Sequence, residues 1–275
     1  MANKVKGEQL SSVAGPLTSS ELNDFVSGAA DFAFEMSVLR ELRAVGFECS
    51  HSGTYVDPVT NKIRQFDIRA VRGVGERRLA MAVECKNLRT AAPVMVMASP
   101  RTAAEAVLDV VRVTTGLFII ERTRADEFGL GIYDRGDMVG RKVEQVQRSS
   151  SGALTSLGDE EVFVKQTQAI NSGHELIRRA LFEDRSRAQV HTVIPVVVVP
   201  GGTLWQVDYS DDGQVLTPPR PVTRSSLYVG HSWSYEIMGY GEAVRYQLSH
   251  LELVTPEALG EVPGRYFGTT QRIGP

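Results

Sequence analysis

Apolar and polar positions alternate along this chain with either a helical or a strand-like period. The places where the period changes mark the boundaries of the predicted elements. Between Thr18 and Gly46 apolar residues recur every three or four positions, which predicts helix. Thr18 with Glu21 fits a capping box, Gly46 suits the left-handed position after a helix end, and Gly28 is a candidate break. We expect the recurring apolar residues to form one buried stripe: Leu22, Phe25, Ala29, Phe32, Met36 and Leu39.

Two short apolar runs follow, and both are typical of β-strands. They span residues 63–71 and 79–83, with a polar loop between them. Side chains alternate faces along a strand, so Glu84 and Lys86, which follow the second run, point to the same side. If Asp67 in the first run shares that side, two carboxylates and an ammonium meet at one end of the sheet.

The next segment mixes both periods. Residues 92–98 predict a strand, and Pro100 suits the first position of a helix that runs to Val110 or Val113. Residues 117–121 predict another short strand.

The remainder begins with a polar region and ends rich in β-structure. Residues 134–160 are polar and rich in Gly and Ser, which predicts a mobile loop, and residues 159–180 return to helical spacing. From His191 the chain favours strands, the first of which we expect to start at Pro195. The sequence 211–213 (Asp-Asp-Gly) predicts a hairpin turn.

Composition describes an ordinary globular chain. Its 275 residues are 42% hydrophobic and 23% charged, which fits one or two domains with a full core. Neither a signal peptide nor an apolar run of membrane-spanning length occurs, so we expect a cytoplasmic protein with no membrane partner. Cys49 and Cys85 give no disulfide framework and no metal-finger spacing, and we expect reduced thiols.

Charge is distributed unevenly. The net charge of −3 is unusual for a nucleic-acid binder, since phosphate contacts supply most of the non-specific affinity. Between Lys62 and Arg89, however, eight basic residues face three acidic ones. Arg64, Arg69 and Arg89 are therefore candidate nucleic-acid contacts, and a merely solvated loop is the alternative.

Glu35 lies within the apolar arc of the predicted helix. A carboxylate there costs several kcal/mol of desolvation unless a positive group meets it. The alternative is a glutamate at the edge of the stripe that reaches water. Gln166 and Gln168 on the later helix could also contact a site or a phosphate, although surface amides are commoner.

Together these residues resemble the restriction-endonuclease-like nucleases, the PD-(D/E)XK superfamily. The resemblance is clearest over residues 30–90 and extends loosely to 185; no Pro precedes Asp67, where Phe66 stands instead. It rests on these segments: Phe34-Glu35, Leu42, Gly46-Phe47, Gln65-Phe66-Asp67-Ile68-Arg69-Ala70 and Val83-Glu84-Cys85-Lys86-Asn87.

The resemblance implies an α/β fold with a mixed central sheet flanked by helices. The family core is a helix, a three-stranded antiparallel meander, a second helix and a further strand. We expect a flexible N-terminal arm at 1–17, the nuclease-like core at 18–190 and a β-rich extension at 191–275, packed on the core.

The resemblance also implies chemistry. Asp67, Glu84 and the backbone carbonyl of Cys85 would bind Mg²⁺, for which Mn²⁺ would substitute. Lys86 would orient or help deprotonate the attacking water, and Glu35 would support the site. The expected activity is endonucleolytic hydrolysis of phosphodiester bonds in DNA.

Two alternatives stay open. The chain could be a non-catalytic nucleic-acid-binding or assembly module of the same fold, or a chance match in which Asp67 and Glu84 diverge. A role in restricting foreign DNA follows from family analogy alone. A homodimer, partner proteins of a defence system, and RNA as substrate are also left open.

Overall fold

A computed structural model of the protein describes residues 16–28, 31–114, 117–124, 132–158, 160–182, 188–236 and 243–267. Most of the expected N-terminal arm, residues 1–15, lies outside these ranges. The helices are α1 (Ser19–Gly28), α2 (Asp31–Ala44), α3 (Glu160–Phe182) and α4 (Glu261–Phe267), with a 3₁₀ turn at Pro256–Ala258.

The strands, in chain order, are β1 (Glu48–His51), β2 (Thr54–Val56), β3 (Ile63–Gln65), β4 (Ile68–Val74), β5 (Arg77–Cys85), β6 (Val94–Pro100), β7 (Val107–Thr114), β8 (Leu117–Arg124), β9 (Met138–Arg148), β10 (Leu154–Gly158), β11 (Gln189–Val198), β12 (Leu204–Tyr209), β13 (Val215–Pro221), β14 (Arg224–Tyr235) and β15 (Val244–Val254).

Thirteen of these strands join one mixed sheet, so the protein is α/β with few helices flanking a large sheet. The main path runs β1-β4-β5-β11-β15-β14-β9-β6-β12-β13, while β2 and β3 form a separate hairpin. Strands β1, β4 and β5 form an antiparallel meander. Helix α3 leads to β11, which pairs parallel with β5 and with β15. The strands after residue 188 thus share a sheet with the meander, and the domain boundary at 190 stays a prediction.

Alternation along β5 divides the core between the two faces of the sheet. Met81, Val83 and Cys85 pack with α2, whereas Ala82 packs with α3. Glu84 lies two residues after Ala82 and therefore faces α3. Helix α2 buries Val38, Leu39 and Leu42 on its own side, and each such side chain contributes about 1.5–3 kcal/mol on burial.

The predicted helix boundaries at the N-terminus are confirmed. The Thr18 amide donates to Glu21 Oε2 at 2.7 Å, and the Glu21 amide donates to Thr18 Oγ1 at 3.3 Å, which is a capping box. Helix α1 ends at Gly28, and Gly46 follows α2 with a φ of +87°, a conformation that favours glycine.

The predicted buried stripe is wrong over most of its length. Helix α2 packs against β1, β4 and β5, so burial falls on its C-terminal half. Leu39 is buried as expected, and Ala29 lies outside the described residues. The other members of the stripe are exposed: Leu22, Phe25, Phe32 and Met36.

The helix predicted from Pro100 is also wrong. Pro100 ends β6, and a turn follows in which the Thr102 amide donates to Glu105 Oε2 at 2.9 Å. The valine-rich segment beyond forms β7, paired with β8 and β11. Its three- and four-residue apolar spacing suited a helix, but pairing with two strands outweighed that spacing because β-branched residues favour strands.

Two further expectations need correction. Residues 134–160 contain β9 and β10 rather than one loop, and only the turn near Gly152 was expected correctly. Strand β11 begins at Gln189, so Pro195 lies inside it. Pro195 falls between the stretch that pairs with β7 and the stretch that pairs with β15, which reduces the need for its missing N–H.

Other predictions agree with the structure. The strands expected at 92–98 and 117–121, the helix at 159–180 and the turn at 211–213 correspond to β6, β8, α3 and the β12–β13 hairpin. Among the described residues, no helix is long and apolar enough to span a membrane.

Candidate active site at the end of β5

Asp67 and Glu84 meet at the end of the β4–β5 ladder. Ile68 pairs with Val83, so Asp67, one residue earlier, lies opposite Glu84. Both carboxylates contact one ammonium: Lys165 Nζ on α3 lies 2.7 Å from Asp67 Oδ2 and 3.0 Å from Glu84 Oε2. We call these three residues the carboxylate cluster. The divergence that a chance match would produce is not observed.

Sequence reasoning missed Lys165, although the chain carries a signal for it. Lys165 follows the buried Val162 by three residues and precedes the buried Ala169 by four. It therefore lies within the apolar arc of α3, the same kind of position that singled out Glu35. A charged residue on such an arc needs a partner, and the two acids supply it.

Burial dominates the electrostatics of the cluster. Glu84 is 1% exposed; burial, helped by the nearby Asp67 and opposed by Lys165, raises its pKa to about 8. Burial disfavours the charged form of Lys165, but the two carboxylates outweigh it and raise its pKa. A cation bound beside Asp67 and Glu84 would favour the ionised form of Glu84, because a nearby opposite charge lowers the pKa of a carboxyl.

Backbone groups fix the Asp67 carboxylate at the strand ends. The Cys85 amide donates to Asp67 Oδ2 at 2.8 Å, and the Asp67 amide donates to Glu84 Oε1 at 3.4 Å. The Lys86 amide donates to the Val198 carbonyl at 2.9 Å, which ties this end of β5 to β11. Burial raises the pKa of the Cys85 thiol, so its sulfur stays protonated and unreactive.

Lys86 and Glu35 have partners other than the two acids. Lys86 Nζ lies 3.1 Å from Glu161 Oε2 in the first turn of α3. Glu35 Oε2 lies 3.1 Å from His51 Nε2, and both side chains are mostly buried. The structure thus gives Glu35 the polar partner that its buried position requires, while Lys86 takes an exposed one.

The three candidate nucleic-acid contacts differ in accessibility. Arg64 on β3 and Arg89 after β5 are exposed. Arg69 is buried: its guanidinium lies 4.2 Å from the centre of the Phe66 ring, and Nε donates to Ser172 Oγ at 3.4 Å. Because its guanidinium is packed between Phe66 and Ser172, Arg69 braces β4 against α3 in this conformation.

The β2–β3 hairpin is fastened to α3 beside the cluster. Asn171 Nδ2 donates to Asp57 Oδ2 at 3.0 Å, and the Tyr55 hydroxyl donates to the Gln168 carbonyl at 3.4 Å. The amides of Val59 and Thr60 also donate to Asp57 Oδ1. The hairpin therefore forms a fixed wall along α3.

Two amides on α3 leave buried atoms unsatisfied. Gln166 Nε2 and Gln168 Oε1 have no hydrogen-bond partner among the described residues. Gln168 lies one turn after Lys165, on the same side of the helix. Buried polar atoms are nearly always paired, so an unpaired amide oxygen here favours a ligand or water beside the cluster.

No protein-family model matches this chain. No curated protein and no solved structure matches it either.

The carboxylate cluster fits a hard divalent cation. Within the described ranges, no group of three or more His, Cys, Asp and Glu side chains converges as a metal site. Mg²⁺, however, is commonly held by one or two carboxylates, with waters and substrate phosphates completing its shell. Asp67 and Glu84 supply two carboxylates that already share one cationic partner, so the oxygen donors suit this ion.

Proposed function

We propose that the protein is a metal-dependent endonuclease that hydrolyses phosphodiester bonds in DNA. The observation that carries the proposal is the convergence of Asp67 and Glu84 on one ammonium at the end of β5. Two acids and a lysine at a sheet end are suited to hold a cation and a water against a phosphodiester.

The order of elements around the site supports a restriction-endonuclease-like core. Helix α2 precedes the β1-β4-β5 meander, and α3 leads to β11, which extends the sheet parallel to β5. The long insertion between β5 and α3 contributes strands to the far side of the sheet. This order of helix, meander, helix and strand supports the fold that the resemblance implies.

Asp67, Glu84 and the Cys85 carbonyl would hold the cation, Mg²⁺ or in its place Mn²⁺. When bound, the ion would supply Lewis-acid charge and lower the pKa of a water. Lys165 keeps the two acids together at neutral pH and would neutralise charge that develops on the substrate. The fixed hairpin and the Gln168 amide would border the substrate on the α3 side.

Two lysines are candidates for the role of orienting the attacking water. Lys86 has the position that the resemblance implies, but it pairs with Glu161. Lys165 contacts both acids directly. We assign the role to Lys165, and we expect Lys86 to contact the substrate backbone.

Cleavage of supercoiled plasmid and of single-stranded DNA, with Mg²⁺ or Mn²⁺, tests the function. Asp67→Asn and Glu84→Gln should each lower the rate about a thousandfold or more, because several kcal/mol of transition-state stabilisation is lost. Glu48→Gln, which changes an exposed carboxylate on β1, is the matched control and should cleave like wild type.

The lysine assignment is tested in the same assay. Lys165→Met should abolish cleavage, whereas Lys86→Met should mainly weaken substrate binding. The opposite result would return the role to Lys86.

The non-catalytic alternative has one observation in its favour. Lys165 and Glu161 already satisfy the acids and the motif lysine, as in a structural ion network. Wild-type protein that binds DNA and loses binding on Arg64→Ala or Arg89→Ala, yet cleaves with neither ion, would establish that alternative.

A further inference from the structure

A polar cavity lies away from the carboxylate cluster. It has a volume of about 180 Å³ and lies where β6 ends and β9 and β14 begin. We call this cavity the arginine pocket, and its charged and hydroxyl side chains are Arg101, Tyr133, Asp137, Arg224, Ser225, Ser226 and Arg265. An open groove of about 710 Å³ adjoins the pocket and shares two of its arginines.

The two arginines at the centre of the pocket differ in how closely they are paired. Arg224 is neutralised, since its Nε and Nη2 donate to Glu252 Oε2 and Oε1 at 2.7 and 3.1 Å. Arg101 is paired more loosely: its Nη1 lies 3.9 Å from Asp137 Oδ2, and the Asp137 side chain is half exposed. Arg265 lines both the pocket and the groove, and Glu257 and Glu261 also line the groove.

Arg101 is buried with incomplete hydrogen bonding. Its side chain is 2% exposed; Nη1 donates to the Asp134 carbonyl at 3.0 Å, and Nη2 donates to Ser226 Oγ at 3.4 Å. Its Nε has no partner among the described residues. A buried guanidinium with an unpaired N–H and a distant, half-exposed carboxylate is incompletely compensated, and a bound anion would complete its pairing.

The arginines around the pocket also affect the pKa of a neighbouring histidine. Burial lowers the pKa of His250 well below its usual range, and Arg101, Arg224 and Arg141 lower it further. The His250 ring stacks on Tyr133 with centroids 3.8 Å apart, and Tyr133 has a φ of +65°. A bulky residue held in this left-handed region is strained, and such strain often marks a binding site.

We propose that the arginine pocket binds a phosphate, either free or as the phosphoryl group of a small phosphomonoester. The guanidinium of Arg101 offers the planar donors that match a phosphate, and the Ser226 hydroxyl has its proton free to donate to the anion. The adjoining groove leaves room for the organic part of a phosphomonoester. This inference does not depend on the nuclease proposal.

Calorimetric titration of the full chain with inorganic phosphate, adenosine 5′-monophosphate and adenosine tests it. We expect phosphate or the monophosphate to bind and adenosine not to bind. Equal affinity for phosphate and the monophosphate indicates free phosphate as the ligand, whereas tighter binding of the monophosphate indicates a phosphomonoester.

Three variants and one control locate the binding. Arg101→Met, Ser226→Ala and Arg265→Ala should weaken phosphate binding, the first by at least tenfold. Since Arg101 is buried, the two smaller changes guard against a mere loss of folding. Arg245→Ala removes an exposed arginine on β15 outside the pocket and should bind like wild type. Wild-type protein that binds neither anion, or unchanged affinity in all three variants, would overturn the proposal.

Discussion

The carboxylate cluster and the arginine pocket are opposites built on two faces of one sheet. Glu84 faces α3, as the packing of Ala82 shows. Glu252 faces the other side, because Val254, two residues later, packs with α2 while Leu253 packs toward α3. In the first site one lysine is shared by two acids; in the second, Glu252 pairs closely with Arg224 and Asp137 pairs loosely with Arg101.

The comparison shows what an incomplete ion network implies. Burying charge is costly, and a pair of equal and opposite charges already limits that cost. Neither network is complete. The cluster holds two acids for one lysine, and Arg101 in the pocket has a distant, half-exposed carboxylate and an unpaired Nε. These two arrangements fit the ligands of opposite charge that we propose for them, a cation in the cluster and an anion in the pocket.

The largest expected effect is a loss of stability when the Arg224–Glu252 ion pair of the pocket is broken. Glu252→Met leaves Arg224 buried without an anion and should lower the free energy of unfolding by about 3–5 kcal/mol. The double variant Arg224→Met/Glu252→Met should recover most of that loss, since no charge is left unpaired. Urea denaturation measures both.

An exposed pair provides the control for this experiment. Arg40 and Glu41 on α2 are in contact but solvent-exposed, so Glu41→Ala should cost about 1 kcal/mol or less. If the double Met variant were as unstable as the single one, side-chain packing and not charge pairing would be what stabilises the pocket.

A smaller effect is expected when the cluster is broken. Lys165→Met leaves two buried acids together and should cost about 2–3 kcal/mol, less than in the pocket because Glu84 can take up a proton. Mg²⁺ should then stabilise the variant more than wild type, by about 1.4 kcal/mol for each tenfold gain in affinity. Thermal unfolding with and without Mg²⁺ measures this.

The matched variants are Lys86→Met and Lys165→Met/Asp67→Asn. The first should respond to Mg²⁺ like wild type, and the second should lose the response because one carboxylate is gone. Equal Mg²⁺ responses in all four proteins would argue against a cation site.

The smallest expected effect is on the pH dependence of stability, which should have opposite signs for the two sites. The folded-state pKa of Glu84 is raised from 4.5 to about 8, so its stabilising contribution is present below pH 4.5 and is lost as the pH rises toward 8. The folded-state pKa of His250 lies below 6.5, so its contribution is present above pH 6.5 and is lost as the pH falls.

Denaturation midpoints between pH 4.5 and 8 test these opposite slopes. Glu84→Gln should flatten the loss on the alkaline side, and His250→Gln should flatten the loss on the acid side. A slope unchanged by either substitution would assign the titration to another group.

Features that depend on a few neighbouring residues could be predicted from the sequence. The capping box at Thr18, the left-handed Gly46 and the strand before Glu84 depend on a few neighbouring residues, and all were found. The convergence of Asp67 and Glu84 followed from alternation and antiparallel pairing.

Features that depend on pairing between distant parts of the chain could not be predicted from short stretches of sequence. Strand β9 carries polar residues such as Lys142 and Glu144, and such polarity predicts a loop, but β6 and β10 pair with it. The apolar spacing of β7 fits a helix until β8 and β11 are known. Lys165 joins the acids from 81 residues beyond Glu84, a separation that no short motif records.

Strand β11 has a consequence for the synthesis of the chain. It covers one edge of β5, yet it is made more than a hundred residues later. A nascent chain that has released only residues 1–100 already contains Asp67 and Glu84, but neither Lys165 nor the strand that covers β5. Pairing over such distances slows folding, and an uncovered β5 can recruit other chains. Because β11 is synthesised so late, we expect the chain to depend on chaperones during translation.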